Sequence, residues 1–271
     1  MRTPLVSVVV PTYNQAEHVG ACLDALWFQE YEPLEIVVVN DGATDDTARV
    51  LADYARGLAG DTASYAARYE PDTDAIARVT HARYPARGRA ITFLSHGRNR
   101  GLAAALNTGI AASTGRYCTY VPSDDLCFPH MIGTLVGALE EGGADFAYAD
   151  MFVHDAGGRI LRRFSLPDYS FARCFEDWYL CGVAKLYRRE LHDRFGLYDE
   201  ALLAHDHALF QRFALGGAAF VHVPKVLMTL LAHEGDRERD IHSTDNWNRL
   251  LRESRALVLE ARRAAATRGR S

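Results

Sequence analysis

A pair of adjacent carboxylates, Asp124 and Asp125, ends an apolar run that begins at Tyr117. Adjacent carboxylates repel each other, and in a cleft the loss of water favours their protonated forms, so a divalent cation is the usual means of keeping such a pair ionised. The pair therefore predicts a site for a metal ion bound to a diphosphate. The alternative is a solvated turn, because Asp is a good helix N-cap and Phe128-Pro129 follows as at a helix start.

Polar loops also follow two apolar runs near the start of the chain. Residues 5–10 and 34–39 are continuous β-branched runs typical of buried parallel strands, and the segment between them carries apolar side chains at helical spacing. The first run leads into Pro11-Thr-Tyr-Asn14 and the second into 40–46. Ligands of open α/β sheets lie outside the carboxyl ends of the strands, so these loops and the Asp124 loop are expected to meet at one crevice.

The order of these motifs is similar to that of the family 2 glycosyltransferases. It runs from Pro-Thr-Tyr-Asn at 11–14 and Val-Asn-Asp-Gly-Ala-Thr-Asp-Asp-Thr at 39–47 to Asn-Arg-Gly-Leu at 99–102, Asn-Thr-Gly at 107–109 and the Asp-Asp turn. The resemblance implies an α/β structure of the GT-A fold, with a Rossmann-like, mixed, mostly parallel sheet flanked by helices. It also implies inverting transfer of a sugar from a nucleotide-diphosphate donor to a hydroxyl of a glycan or lipid-linked acceptor, in surface glycan or polysaccharide synthesis.

The resemblance assigns roles to individual residues. Thr12, Tyr13 and Asp41 would hold the base and ribose of the donor, and Asp124 would bind Mn²⁺ or Mg²⁺ at the end of the family's Asp-x-Asp element. Asp125 is the second expected carboxylate of the metal site. The residues expected at the donor nucleotide are Pro11, Thr12, Tyr13, Asn14, Asp41, Asn99, Gly101, Ser123 and Asp124.

Asp206, at the start of a predicted helix, is the candidate catalytic base. Residues 204–213 resemble a family helix that opens with an acidic pair, and Asp206 matches the second member of that pair. Inversion at the anomeric carbon requires a carboxylate to take the proton of the attacking hydroxyl, and the helix dipole favours an ionised carboxylate here. Without the resemblance, the simpler interpretation is a charge that only stabilises the helix N-terminus.

Two residues depart from the family pattern. Pro122 occupies the place of the first Asp of the Asp-x-Asp element, and His205 replaces the first member of the acidic pair. Mg²⁺ often binds one or two protein carboxylates and completes its shell with water and phosphate, so Asp124 can suffice. Both departures also suit a non-catalytic nucleotide-sugar-binding or scaffold protein. A Rossmann oxidoreductase is disfavoured, because Pro11-Thr-Tyr-Asn14 replaces the glycine-rich turn that a dinucleotide needs.

The histidines do not follow a zinc pattern, because no His-x-x-x-His pair is present with a third ligand at a standard interval. His205 and His207 flank Asp206. His233 is a separate case, since residues 227–233 resemble a late strand of the family that ends in a histidine near the diphosphate. His233 is therefore expected to contact the donor or the metal.

Composition restricts the class of protein. A chain of 271 residues with 48% hydrophobic content can bury a sizeable core, and a net charge of −5 disfavours a nucleic-acid partner. No apolar run is long enough for a bilayer, and the first four residues lead directly into a strand, unlike a signal peptide. An odd number of cysteines without Cys-x-x-Cys spacing predicts buried thiols in a reducing cytoplasm. These cysteines are Cys22, Cys118, Cys127, Cys174 and Cys181.

We predict a catalytic domain at 1–245 and a basic amphipathic helix at 246–271. An insertion at about 54–90 interrupts the alternation of strands and helices, and either a helical excursion or a simple surface insertion fits it. Residues 249–270 contain seven arginines and two glutamates, a net charge of +5 against −10 for the remainder. This segment favours a helix docked on the core, with weak peripheral contact to an anionic membrane surface as the functional alternative.

Overall fold

The computed structural model describes residues 3–58, 63–232 and 244–268. The strands are β1 (Val6–Thr12), β2 (Leu34–Asn40), β3 (Ala63–Glu70), β4 (Ala75–Ala82), β5 (Arg89–Ser95), β6 (Tyr117–Tyr120), β7 (Leu126–Cys127), β8 (Phe146–His154), β9 (Ile160–Phe164), β10 (Lys185–Arg188) and β11 (Phe220–Leu231). The helices are α1 (Val19–Trp27), α2 (Thr47–Gly57), α3 (Leu102–Ala112), α4 (Met131–Gly142), α5 (Glu190–Phe195), α6 (His205–Leu215) and α7 (Thr244–Arg268). Within the described residues, nine strands form one sheet in the order β5-β2-β1-β6-β10-β8-β11-β7, with β9 paired on β8.

The first half of the sheet is parallel and covered on both faces. β1 pairs with β2 and β6, and β5 continues the sheet beyond β2. All seven residues of β1 are buried, because α1, α2 and α4 cover one face while α3 and α6 cover the other. Strands with two buried faces have no polar side, which is why the continuous apolar runs of the sequence predicted them correctly.

β10 enters the middle of the sheet antiparallel to both of its neighbours. Its Tyr187 lies opposite Cys118 of β6 and Phe146 of β8, so β6 and β8 run in the same direction. β11 is parallel to β8. The carboxyl ends of β1, β2, β6, β8 and β11 therefore lie at one edge of the sheet. The predicted α/β fold with a mixed, mostly parallel sheet flanked by helices is confirmed.

The insertion after α2 is a β-hairpin. β3 and β4 pair in antiparallel register from Ala63↔Ala82 to Glu70↔Ala75, and an isolated bridge joins Ala75 to Arg159 ahead of β9. Side chains of β4 alternate in exposure along the strand, as in a sheet with one covered face. The expectation of a helical excursion is therefore wrong, because this alternation has period two and not the helical period.

The hairpin packs over α1 and lines one side of an open cavity of about 580 Å³. Its Ala67 and Ile76 join Phe128 and Phe152 in a small apolar cluster, which fixes the hairpin on the α/β body. Among the described residues, none of those predicted to bind the donor or to act as the base lies on the cavity wall. The hairpin therefore adds a surface outside the predicted site.

The C-terminal helix α7 is docked on the core. It packs against α6 and against a π-helical turn at Ala172–Glu176. Ser254, Val258 and Ala261 form the buried stripe, and Arg262 donates to Oδ1 of Asp177 at 2.6 Å. The spacing of the buried residues is that of one helix face, as the amphipathic pattern predicted.

All five cysteines are buried free thiols, in agreement with the sequence prediction. The long helix α7 carries too many charged residues to cross a bilayer. No other helix in the described parts of the chain has the length and apolarity of a membrane span.

Candidate active site

The loops after β1 and β2 are joined by the side chain of Asn14. Its Oδ1 accepts a hydrogen bond from the backbone N–H of Thr44 at 2.8 Å, and its backbone has φ of +51°, a conformation that asparagine tolerates. The next backbone N–H, of Gln15, donates to Oγ1 of Thr47 at 2.8 Å. Asn14, predicted at the donor nucleotide, thus holds both loops in one arrangement.

Asp41 is buried just after β2 and accepts hydrogen bonds from three groups. The backbone N–H groups of Arg100 and Gly101 donate to it at 3.0 and 2.8 Å, and Nδ1 of His96 lies 2.6 Å from its Oδ1. Nε2 of the same imidazole lies 2.9 Å from Oγ1 of Thr108. Gly101 has φ of +92°, which only glycine adopts without strain. These bonds bring the predicted Asn-Arg-Gly motif against the loop after β2.

Other residues predicted at the donor nucleotide also lie at this edge. Pro11 and Thr12 are buried at the end of β1, and Oγ1 of Thr12 has no hydrogen-bond partner in the described residues. Tyr13 is 38% exposed. Oδ1 of Asn99 accepts the N–H of Gly101 at 2.9 Å, which closes the turn before α3. A buried hydroxyl beside an exposed ring offers both a polar and an apolar contact to a nucleoside.

The Asn-Thr-Gly motif lies on α3 and has a packing role. Asn107 exchanges two hydrogen bonds with the backbone of Tyr198, each at 3.0 Å. A Cβ at Gly109 would lie 2.3 Å from Cγ1 of Val9, so only glycine allows this contact between α3 and β1. The motif therefore fixes α3 against both the sheet and the loop that precedes α6.

Asp124 and Asp125 follow β6 in a turn, and their side chains lie in different environments. Asp125 is buried, and its Oδ1 accepts the backbone N–H of Leu231 at 3.2 Å. Asp124 is half-buried, and Ser123 beside it is buried. Asp125 therefore links β6 to the end of β11, whereas Asp124 is the carboxylate of the pair that keeps part of its surface exposed.

The residues present fit a magnesium-type or manganese-type ion better than zinc. Within the described parts of the chain, no three His, Cys, Asp or Glu side chains converge as a preformed metal cluster. Asp124 offers one hard carboxylate oxygen donor, which suits a cation that completes its shell with water and diphosphate oxygens. His233, predicted as a further metal contact, lies outside the described residues.

Asp206 lies in the first turn of α6, and its two carboxylate oxygens have different surroundings. Oδ2 accepts a hydrogen bond from the hydroxyl of Tyr120 and lies 3.7 Å from Nζ of Lys185. Oδ1 is buried and has no hydrogen-bond partner in the described structure. Since Tyr120 ends β6, shortly before Asp124, this hydrogen bond connects the predicted base to the strand that carries the predicted metal ligand.

Sequence reasoning did not identify Tyr120 or Lys185 as site residues. Burial and the nearby Asp206 carboxylate raise the pKa of Tyr120 well above its ordinary value, so its hydroxyl stays protonated and donates. Burial lowers the pKa of Lys185. The sequence held one signal: Lys185 and Lys225 are the only lysines in a chain with 30 basic residues, and Lys185 lies inside an apolar run.

The start of α6 is held by a carboxylate of α7. Oε2 of Glu253 accepts the backbone N–H groups of Leu203 and Ala204 at 2.7 and 2.9 Å. Arg249 pairs with the same glutamate at 2.8 Å and also donates to the carbonyl of Ala201. The segment that leads into the predicted base is therefore fixed by the C-terminal helix.

The histidines on either side of Asp206 differ in burial. His205 is half-buried and lies edge-on to the ring of Tyr198, with ring centroids 5.7 Å apart. His207 is 3% exposed and stacks on Phe175 and Tyr179. Burial lowers the pKa of His207 to about 4, so its imidazole is neutral near pH 7.

The neutral His207 predicts a loss of stability in mild acid. Its pKa in the folded chain is about 4, below the unfolded value of about 6.5. Its contribution is therefore complete above pH 6.5 and is lost as the pH falls toward 4, because the unfolded chain takes up the proton first. Between pH 8 and pH 5 this loss is about 2 kcal/mol. Urea unfolding of wild type and His207→Phe at both pH values measures it, and equal losses in the two proteins would contradict the prediction.

A sequence-profile match along most of the chain shows the family to which the protein belongs. The sequence profile of "Glycosyl transferase family 2" matches residues 7–196, which include β1 and the loops that carry Asp41 and Asp124. The chain belongs to glycosyl transferase family 2. The family 2 resemblance inferred from the ordered motifs is confirmed, and Asp206 and α7 lie beyond the matched segment.

Two curated relatives are described as glycosyltransferases. The uncharacterized glycosyltransferase EpsJ of Bacillus subtilis is 29% identical over 209 residues, which cover 73% of this chain and 52% of EpsJ. The glycosyltransferase GlyA of Streptococcus pneumoniae is 26% identical over 262 residues, which cover 91% of this chain and 33% of GlyA. The family 2 chain thus spans about half or less of the length of these two relatives.

Solved structures share the fold at low identity. The mannosyltransferase PcManGT of Pyrobaculum calidifontis, solved with GDP-Man and Mn²⁺, superposes with a TM-score of 0.65 at 20% identity and covers 94% of this chain and 65% of its own. S. aureus TarS 1–349, solved with UDP-GlcNAc, gives a TM-score of 0.63 at 19% identity and covers 85% and 59%. These likenesses establish the GT-A fold of the family 2 chain.

Proposed function

We propose that this chain is an inverting glycosyltransferase that moves a sugar from a nucleotide-diphosphate donor to an acceptor hydroxyl. The observation that carries the proposal is the carboxylate of Asp206. One of its oxygens is fixed by Tyr120 and Lys185, and the other is unpartnered at the N-terminus of α6. A carboxylate that is held by fixed partners and keeps 19% of its side chain exposed is suited to accept a proton from a bound acceptor.

The chemistry follows from this arrangement. The acceptor oxygen attacks the anomeric carbon on the face opposite the diphosphate, and its proton passes to the carboxylate of Asp206, whose side chain is 19% exposed. The bond between the sugar and the diphosphate breaks, and its electron pair leaves with the nucleotide. One displacement with one base inverts the configuration. Bound Mn²⁺ or Mg²⁺ would supply positive charge against the leaving diphosphate.

The donor is proposed to lie across the loops after β1, β2 and β6. Thr12, Tyr13 and Asp41 would hold the base and ribose, and Asp124 would hold the cation with a contribution from Asp125. Asn14, Asn99 and Gly101 shape the loops around them. PcManGT with GDP-Man and Mn²⁺ and TarS with UDP-GlcNAc support a donor of this class on the same fold.

The acceptor is proposed to be a glycan or a lipid-linked sugar, in surface glycan or polysaccharide synthesis. The exposed side of α7 supports weak contact with an anionic membrane surface. It carries Trp247, Leu251 and Leu259 at 36–41% exposure together with exposed arginines. Apolar and cationic side chains on one amphipathic helix favour the interface between lipid headgroups and water.

A second candidate is a nucleotide-sugar-binding or scaffold protein that lacks transfer activity. The observations in its favour are Pro122 and His205, which remove two carboxylates from the family pattern. Such a protein would bind the donor through the same loops and leave it intact. The measured release of nucleoside diphosphate therefore separates the two candidates.

A screen of nucleotide sugars with and without Mn²⁺ tests the proposal. We expect at least one UDP- or GDP-linked sugar to raise the melting temperature more with Mn²⁺ than with EDTA. We further expect that donor to be hydrolysed slowly, or transferred to a glycoside acceptor, with release of nucleoside diphosphate. Stabilisation by a donor that stays intact with every acceptor would favour the binding protein.

A further inference from the structure

Lys185 is a buried cation beside the predicted base. Its side chain is 0% exposed, and its Nζ lies 3.7 Å from Oδ2 of Asp206 and 3.8 Å from the ring centroid of Tyr120. Nζ has no hydrogen-bond partner in the described residues. Transfer of an ammonium into a protein interior is costly unless a charge or a π-face compensates it, and here the carboxylate and the tyrosine ring do so.

We propose that Lys185 is a positioning residue that keeps Asp206 ionised and holds its carboxylate in one orientation. This inference rests on the proposed function, in which Asp206 is the base. An ammonium within 4 Å of a carboxylate favours the ionised form of that carboxylate. Lys185 lies next to Oδ2, the same oxygen that accepts the hydrogen bond of Tyr120, so the two residues hold the carboxylate in one orientation.

The complete burial of Lys185 distinguishes a positioning role from direct substrate binding. A side chain with 0% exposure does not reach the donor or the acceptor, so Lys185 acts through Asp206. The choice of lysine also fits the site. A compact ammonium fits between a ring and a carboxylate, whereas the wider planar guanidinium needs several acceptors for its five N–H groups.

Each element packed around Lys185 and Asp206 contributes further titratable groups. Tyr120 ends β6, and Asp125 lies in the turn that follows it. Tyr179 and Cys181 precede β10, and Tyr187 lies on that strand. Tyr198 precedes α6, and His205 and His207 flank Asp206 on α6. Burial raises the pKa of the four tyrosines, which are therefore neutral near pH 7. Lys185 is accordingly the cation in direct contact with the carboxylate in the described structure.

The test replaces Lys185 by methionine, which has a similar length and no charge. In Lys185→Met we expect the acidic limb of the profile of kcat/KM against pH to move up by about 1 unit or more. Turnover at pH 7 should fall about tenfold or more for the same reason, while nucleotide affinity stays within a few-fold of wild type. Lys225→Met is the matched control, because it removes the other, exposed lysine of β11, and it should leave the pH profile unchanged.

A thermal cycle tests the same contact without turnover. Lys185→Met should lower the melting temperature at pH 7 when Asp206 is present and should raise it in the Asp206→Asn background, where the ammonium has lost its partner. Equal shifts of the melting temperature in both backgrounds would overturn the role of Lys185. The same conclusion would follow if Asp206→Asn is inactive but Lys185→Met leaves the acidic limb of the pH profile where it is in wild type. Full activity of Asp206→Asn would instead overturn the proposed role of Asp206 as the base. The thermal cycle would then still show whether Lys185 and Asp206 form a stabilising ion pair.

Discussion

Asp206→Asn is expected to lower turnover by about 10²–10⁴-fold, the range for loss of a general base. Asparagine keeps the size of the side chain and can still accept the hydroxyl proton of Tyr120 through its amide oxygen, but it cannot take up the acceptor proton. Nucleotide affinity should stay within a few-fold of wild type, because the hydrogen bond and the ion pair of Asp206 go to Tyr120 and Lys185, which are not among the residues proposed to bind the nucleotide. Steady-state transfer with the donor found by the screen, together with nucleotide titration calorimetry, measures both quantities.

The neighbouring His205 provides the matched control. His205→Glu restores the acidic pair of the family and lies at the same helix start, so activity should remain detectable in this variant. If Asp206→Asn turns over as fast as wild type, the base is another residue. If wild type releases no nucleoside diphosphate with any donor and acceptor, the binding-protein candidate is favoured.

Asp124→Ala is expected to remove the metal-dependent part of donor binding. A nucleoside diphosphate at 100 times its Kd adds about 2.7 kcal/mol to the free energy of unfolding. In wild type this gain should be larger with Mn²⁺ or Mg²⁺ than with EDTA, because the cation would bridge Asp124 and the phosphates. In Asp124→Ala the gains with and without the cation should be equal.

Asp72→Ala is the control for a general loss of negative charge, since Asp72 is exposed in the turn of the β3–β4 hairpin. It should retain the full metal-dependent gain. Calorimetry that shows equally tight binding in wild type with Mn²⁺ and with EDTA would exclude the metal from donor binding.

Local patterns predicted the parallel half of the fold and the donor loops. β1 and β2 are buried on both faces, so their continuous apolar runs identify them without any knowledge of distant residues. Because parallel strands end at the same edge of the sheet, the polar residues after each run could be placed together. The inserted hairpin was harder to predict from the sequence, because the alternation of its apolar and polar residues is weak. Its apolar face is covered by Phe128 and Phe152, which are distant in the sequence.

The surroundings of the predicted base could not be derived from local patterns. Lys185 reaches Asp206 because β10 enters the sheet antiparallel between β6 and β8, an order set by packing across the whole domain. Tyr120 and Asp206 are 86 positions apart in the sequence, yet they share a hydrogen bond. Spacing along one element carries no information about such pairs.

The contact between Glu253 and the segment before α6 has a consequence for how substitutions would act on the proposed activity. Two backbone hydrogen bonds from one α7 carboxylate hold the residues that immediately precede Asp206. Under the proposed mechanism, a substitution in α7 would therefore change the rate of proton transfer while every residue that touches a substrate stays the same. Under the same mechanism, substitutions in this helix, which lies outside the matched residues 7–196, would change the catalytic rate from a distance. Transplanting the donor loops alone would then not transfer the activity.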